Sequence, residues 1–156
     1  VNTTRRRRLA FLSLSAALLA LSVPSVGRAE DADMKAAIEA SHAAIHSLNI
    51  DDIANVWSHA ADVTLVNPGD KTVAVGWEAV KGRWEAVNKI LSGVDIKQTD
   101  GPYISTTGTI ARSVGIVHVS VHLKSQEARE VNYVETDVLV KQDGRWLLVS
   151  HTAKPI

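Results

Sequence analysis

Apolar positions along the chain change their period twice. From residue 9 to 23 they run almost without interruption, as LAFLSLSAALLALSV. From 33 to about 91 they recur every three or four residues in short blocks, and beyond Gly93 they alternate. A period near 3.6 marks a helix with one buried face, and a period of two marks a strand. Helices first and strands afterwards argue for an α+β fold rather than a doubly wound sheet.

Met34, Ile38, Ser41, Ile45 and Leu48 form one stripe and predict a helix over 33–48. Asn49 then reads as the N-cap of a short second helix. Asp51 and Asp52 lie in its first turn, where acids suit the helix dipole, and Ile53, Val56 and Trp57 are its buried side. Residues 62–67 read as a strand. Pro68-Gly69-Asp70 is a turn, and 73–75 return as the hairpin partner. Gly76 ends that strand. A third helix follows over 77–91, with the stripe Trp77, Val80, Trp84, Val87 and Leu91 and a stop at Ser92-Gly93. Gly82 inside it costs about 1 kcal/mol against Ala, so another element is expected to approach closely there. Strands are expected near 94–100, 103–110, 113–123, 130–141 and 145–153. The first two also read as one long strand kinked at Gly101-Pro102, and Asp143-Gly144 is a tight turn between the last two.

The strand faces differ. Val117, Val119, Val121 and Leu123 share one side, with Ile116, His118, Ser120 and His122 on the other. In the last two strands Val138, Leu139 and Val140, and again Leu147, Leu148 and Val149, are consecutive. Both faces of the sheet are therefore apolar at that point. One covers the helices, and no further helix remains for the other. A second copy of the chain is expected there, giving a homodimer through the outer sheet face.

Composition changes the picture at the N-terminus. Arg5 to Arg8 precede the 15-residue apolar run, Pro24 breaks it, and Gly27-Arg28-Ala29 places small residues at a cleavage site. That layout is expected of a bacterial signal peptide over 1–29, leaving one domain over 30–156 that is periplasmic or secreted. The run is shorter than the roughly 20 residues that span a bilayer. Both the general and the twin-arginine export routes fit Arg6-Arg7-Arg8-Leu9. Five of the 17 basic residues and none of the 17 acidic ones lie in 1–29, which leaves 12 against 17 in the remainder. A net charge of −5 argues against nucleic acid and anionic membranes as partners. The chain has no Cys. Disulfides, thiolate metal sites and lipidated-Cys anchoring are excluded, and a packed core must carry the stability.

Candidate chemistry is sparse. His42 and His46 stand at i, i+4 on the first helix, a metal-sharing spacing, but with no third ligand nearby they read as a solvated face. His118 and His122 lie about 13 Å apart along a strand at about 3.3 Å per residue, too far to chelate one ion. Tyr133, Glu135 and Asp137 share a strand face. Two carboxylates so placed form either an acid/base pair, with one pKa pushed up, or a solvated edge. His151 lies within the apolar last strand, on the face of Leu147 and Val149, as a general base or a hydrogen-bonded core residue. No phosphate loop, nucleophile elbow or zinc-protease helix is present, and neither cofactor nor metal is expected.

Two stretches carry a resemblance. VNPGDKTVAVGWEAVKGRWEAV, residues 66–87, is a hairpin, a Gly and a helix with Trp84 seven residues after Trp77. DGRWLLVSHTAKP, residues 143–155, is a tight turn, Gly-Arg-Trp and a final strand. Preceded by two helices, they resemble the SnoaL-like proteins of the nuclear transport factor 2-like superfamily, in element order over 31–155. The resemblance implies a cone: a curved mixed sheet wrapped around three helices, an apolar cavity at its open end, and dimerisation through the outer sheet face. Many relatives end in His-His-Ala-Ser-Pro, whereas here Thr152 stands in place of the second His. Ketosteroid isomerase-like sites carry a Tyr in the first helix, and this chain has none there. Three functions follow from the resemblance. The first is binding of a small, largely apolar molecule in the cone. The second is proton transfer on a carbonyl-bearing substrate by His151 with Glu135 or Asp137. The third is a non-catalytic dimerisation module with a filled cone. The expected ligand contacts are Trp57, Trp84, Asn67, Tyr133 and His118.

Overall fold

The computed structural model describes residues 26–156, with side chains from Asp31 onward. The arginine block and apolar run of the expected export segment lie outside the described residues. Three helices and six strands follow in the expected order. They are α1 (Val26–Ser47), α2 (Ile50–Val56), β1 (Thr64–Val66), β2 (Ala74–Val75), α3 (Trp77–Ile90), β3 (Leu91–Thr107), β4 (Ile110–Leu123), β5 (Ala128–Gln142) and β6 (Arg145–Pro155). The strands form one curved, open sheet in the order β2-β1-β6-β5-β4-β3. Only β1 and β6 run parallel, and every other pairing is antiparallel. This is the expected α+β cone.

Helix α1 starts seven residues earlier than the apolar stripe predicts; Arg28, Ala29, Glu30 and Ala32 are good helix formers, and no Pro interrupts Val26–Asp33. Its stripe is buried as expected: Met34 is fully covered and Ile38 nearly so. The Asn49 cap is also as expected, its side chain accepting the Asp51 N–H at 3.0 Å. Helix α3 does not run on to the Ser92-Gly93 stop. Leu91 has extended angles and opens β3 directly. The two strands expected either side of Gly101-Pro102 are one long strand, with register shifts near that dipeptide. Asp143 and Gly144 both have positive φ (50° and 79°), the geometry of a two-residue hairpin turn that matches strand twist.

Gly82 departs from expectation. It is exposed, and a Cβ built there meets nothing within 4 Å, so no element approaches it. Gly76 is the glycine that matters in this region. It caps α3 with φ 83°, and a Cβ there would lie 3.2 Å from the Ala61 carbonyl oxygen. Its N–H bonds the Val63 oxygen, which ties the turn into α3 to the chain just before β1.

The core fills the narrow end of the cone. Ile53, Trp57, Val63, Leu65, Val80, Leu139 and Leu148 are buried there between the helices and the sheet. Trp57 was expected on the ligand cavity but lies in this packed core, bridging to Leu148 at the start of β6. It is 3% exposed and packs with the helices and sheet of this cluster. Toward the wide end, Leu91, Val94, Val117 and Val119 form a second apolar cluster on the concave face.

Candidate functional site

Four strands place the polar residues by register. Asp137 on β5 pairs with His151 on β6 and with Ser113 on β4, and His151 pairs with Leu65 on β1. One row farther along, Glu135 pairs with Gly115 and Ala153. These rows face the helices, so Glu135, Asp137 and His151 are all buried. The solvated-edge reading of Glu135 and Asp137 does not hold.

His151 reaches this face by an irregularity that alternation does not foresee. Leu139 pairs with Leu148, but Val138 pairs with Ser150, so Val149 is an extra residue in β6. A bulge of this kind shifts the phase of a strand by one. Trp146 and Leu148 point inward before it and His151 points inward after it. His151 therefore shares its face with Leu148, and not with Leu147 and Val149 as expected.

A continuous polar chain results. His151 Nδ1 lies 2.7 Å from Asp137 Oδ1 and 3.6 Å from Glu135 Oε1. Glu135 Oε2 lies 2.7 Å from Nε2 of His42, which reaches down from α1. The solvated-face reading of His42 is thus overturned, since its side chain is largely covered. The i, i+4 spacing gave no warning, because its partner is 93 residues away. His46 follows expectation more closely: its side chain is exposed, and its Nδ1 lies 2.7 Å from the Val94 oxygen and 3.2 Å from Asp95.

The two carboxylates are pushed apart. Burial would raise both, but at Glu135 the His42 hydrogen bond and the charges of His151 and His42 outweigh it, and its pKa lies below the usual value. At Asp137 burial, with help from the Glu135 charge, wins over its bond to His151, and its pKa lies above the usual value. Burial alone would lower His151. Its bond to Asp137 and the two neighbouring charges reverse that, and its pKa is raised. Of the two carboxylates, Glu135 is the one held more readily in its ionised form, while Asp137 is joined to His151 by their 2.7 Å hydrogen bond.

Glu135, Asp137 and His151 each offer one ligand atom within a 4.8 Å group, the only such set among the described residues. They supply a donor set suited to a divalent cation. The 2.7 Å contact between Nδ1 and Oδ1 is, however, a hydrogen-bond length. Two ligands on a tetrahedral zinc stand roughly 3.3 Å apart.

Glu135 and His151 open onto a cavity of about 340 Å³ between α1, α3 and the concave sheet. Its walls are mostly aliphatic: Ile45, Val87, Val94, Ile96, Val117, Val119 and Val121. Trp84, Asn67 and Tyr133 line it, as expected. The Trp84 ring stands 6.3 Å from that of His151, tilted by 48°. Asp137 sits behind His151 and does not touch the cavity. His118 does not reach it either. It lies on the outer, convex face, its Nδ1 2.9 Å from Asn132 Oδ1, because it alternates with the inward Val117 and Val119.

A curved, open sheet around three helices, with a cavity at the wide end, defines the nuclear transport factor 2-like class. The chain belongs to the SnoaL-like domain family, whose model matches residues 34–153. Solved structures share the fold at low identity. An NTF2-like family protein from Streptomyces avermitilis, described as a candidate dehydratase, is 19% identical with a TM-score of 0.75, over 83% of this chain and 98% of that one. An NTF2-like superfamily protein from Salmonella enterica serovar Typhimurium is 13% identical with a TM-score of 0.76, over 83% and 93%. A ketosteroid isomerase-like protein from Erwinia carotovora atroseptica is 19% identical with a TM-score of 0.70, over 80% and 95%. A search of curated proteins gives no significant match.

Proposed function

We propose that this is an exported protein that binds a small, largely apolar molecule in its cone, working as a homodimer. The observation that carries this reading is the mostly aliphatic cavity of about 340 Å³, whose lining carries few polar groups, Glu135 and His151 among them. Pockets of this kind take ligands by apolar burial and orient them with few polar contacts. The space in the cone counts against a filled, purely structural module. The dimer reading rests on the convex face. Val114, Ile116, Val134 and Val138 are partly exposed there, and no element among the described residues lies over them. Native mass spectrometry of protein purified from the exported fraction tests both parts. A retained small-molecule mass on a dimer is expected. A bare monomer at tens of micromolar would overturn the reading.

A second reading is favoured by one specific observation, the buried His151–Asp137 pair on the cavity wall. With Nδ1 committed to Asp137, Nε2 is the nitrogen left to a ligand. A histidine so oriented, beside an ionised Glu135, is equipped to move a proton on a carbonyl-bearing substrate. Two of the structural relatives carry dehydratase or ketosteroid isomerase-like names, which agrees with that chemistry. Deuterium uptake next to the carbonyl of a bound ketone, in heavy water, separates the readings. Uptake lost in His151→Gln would support catalysis, and no uptake would leave binding alone.

A further inference from the structure

Besides the cone cavity, a hollow of about 410 Å³ lies between α1 and the bend in β3. Lys35, Glu39, His42, Gln98 and Asp100 line it, so it is polar where the cavity is mostly aliphatic. No residue lines both. The two follow one another along the seam of α1 and β3. Ile45 and Ile96 face the cavity, whereas His42, a turn of helix away, and Gln98, two strand residues on, face the hollow.

One side-chain hydrogen bond among the described residues crosses from one lining to the other. It is the 2.7 Å contact of His42 Nε2 with Glu135 Oε2. Both side chains are largely covered, at 13% and 7% exposure. Toward the hollow, the other ring nitrogen of His42, Nδ1, makes no hydrogen bond to the protein among the described residues. Toward the cavity, Glu135 Oε1 lies 3.6 Å from His151 Nδ1. A glycine helps to keep the hollow clear beside this pair. Gly115 stands opposite Glu135 in the β4–β5 ladder, and a Cβ there would overlap the side-chain nitrogen of Gln98. Gln98 therefore lies against Gly115, its Nε2 donating to the backbone oxygens of Asp100 at 2.6 Å and Ile116 at 3.0 Å. Both amide protons are spent on backbone, and neither goes to Glu135.

We propose that His42 is a proton relay joining the buried Glu135–His151 pair to water in the hollow, so that this pair exchanges protons with solvent while a ligand fills the cavity. This rests on the reading that the cavity binds a small apolar molecule, and it adds a second connection to solvent that the ligand does not block. A carboxylate accepts from Nε2–H, which leaves Nδ1 as the accepting nitrogen of the ring. Water in the hollow adds a proton at Nδ1 as Nε2 gives one to Glu135, and the reverse passage completes the exchange with no net change of charge. A ligand lying over Glu135 shuts water out from the cavity side alone.

Solvent exchange of the His151 Nδ1 proton tests this. Saturation transfer from water reads it in the whole exported domain with ¹⁵N-labelled histidine, with and without saturating naphthalene as the cavity probe. In the parent, naphthalene is expected to leave the rate close to that of the free protein, because the hollow stays open. His42→Phe fills the same space with no acid–base nitrogen. Alone it should exchange near the parental rate through the cavity, and with naphthalene bound about tenfold or more slower. His42→Gln keeps a donor for Glu135 but cannot relay, and should match His42→Phe; it also serves where Phe disturbs folding. Free imidazole added to His42→Ala with naphthalene bound should restore fast exchange, which a purely packing role for His42 does not allow. If naphthalene alone slows the parent about tenfold, or if His42→Gln with naphthalene bound exchanges as fast as the parent, the relay is refuted while the binding reading stands. If naphthalene does not bind, the binding reading fails and the relay falls with it.

Discussion

At the scale of single residues, the buried His151–Asp137 hydrogen bond makes the clearest prediction. The folded pKa of His151 lies above its unfolded value of about 6.5. Its protonation therefore contributes stability that is complete below about pH 6.5 and fades as pH rises through the raised folded value. Asp137→Asn keeps an acceptor for Nδ1–H but removes the negative charge that helps raise it, leaving burial opposed by Glu135. Ring ¹³C–¹H shifts should show His151 titrating above pH 6.5 in the parent and earlier in the variant. Equal midpoints would refute the assignment. The variant should also lose about 2 kcal/mol in urea unfolding, because a charge-assisted buried hydrogen bond becomes a neutral one. Glu135 runs the other way. Its depressed folded pKa stabilises the protein above about pH 4.5, and this is lost as pH falls through the lower value. The residues themselves were legible: Glu135 and Asp137 stood out as two carboxylates two residues apart on one strand, and His151 as an imidazole within the apolar last strand. His42 was not, since helical spacing says which residues share a face and nothing about a strand 93 residues away. Neither was the hollow that His42 lines, because a gap between a helix and a strand is a property of the assembled interior.

At the scale of elements, the two glycines around α3 make opposite predictions. Gly82→Ala should stabilise by about 0.5–1 kcal/mol, since the position is helical, exposed and open. Gly76→Ala should cost about 1–3 kcal/mol, because it forces a side chain to φ 83° and toward the Ala61 oxygen. Thermal or urea unfolding of the two variants checks both, and a shift of the same sign in each would contradict this account. The element order, the Asn49 cap and the Asp143-Gly144 turn were readable because each depends on neighbours in sequence. The exit from α3 into β3 and the phase of His151 were not. Leu91 is apolar enough for either helix or strand, and the sheet's pull on it decides. In β6, a run of three aliphatics hides which one is surplus, and only pairing with Leu139 and Val138 reveals the bulge at Val149.

For the whole molecule, the convex sheet face and the N-terminal segment remain to be tested in solution. Val134→Glu places a charge at the centre of that face, in line with Ile116 across the ladder. Sedimentation of this variant should give monomers where the parent gives dimers, with the ligand cavity on the opposite face intact. A parent that is monomeric at the same concentration would remove the dimer from the proposal. Intact-mass analysis of secreted protein should give an N-terminus at Glu30, and a mass retaining residues 1–29 would count against cleavage there. No helix among the described residues is long and apolar enough to cross a membrane. By itself the sequence determined the class of fold, the order of its elements, the acidic balance of residues 30–156 and the expectation of export. These follow from local period, composition and short-range turn chemistry. Only the tertiary structure decided which strand face is concave, that His42 turns inward, and that Trp57 packs while Trp84 lines the cavity. It also decided that the carboxylates sit in a buried polar chain with His42 and His151. Those outcomes depend on register and curvature, which bring together groups far apart in the chain and remove them from water.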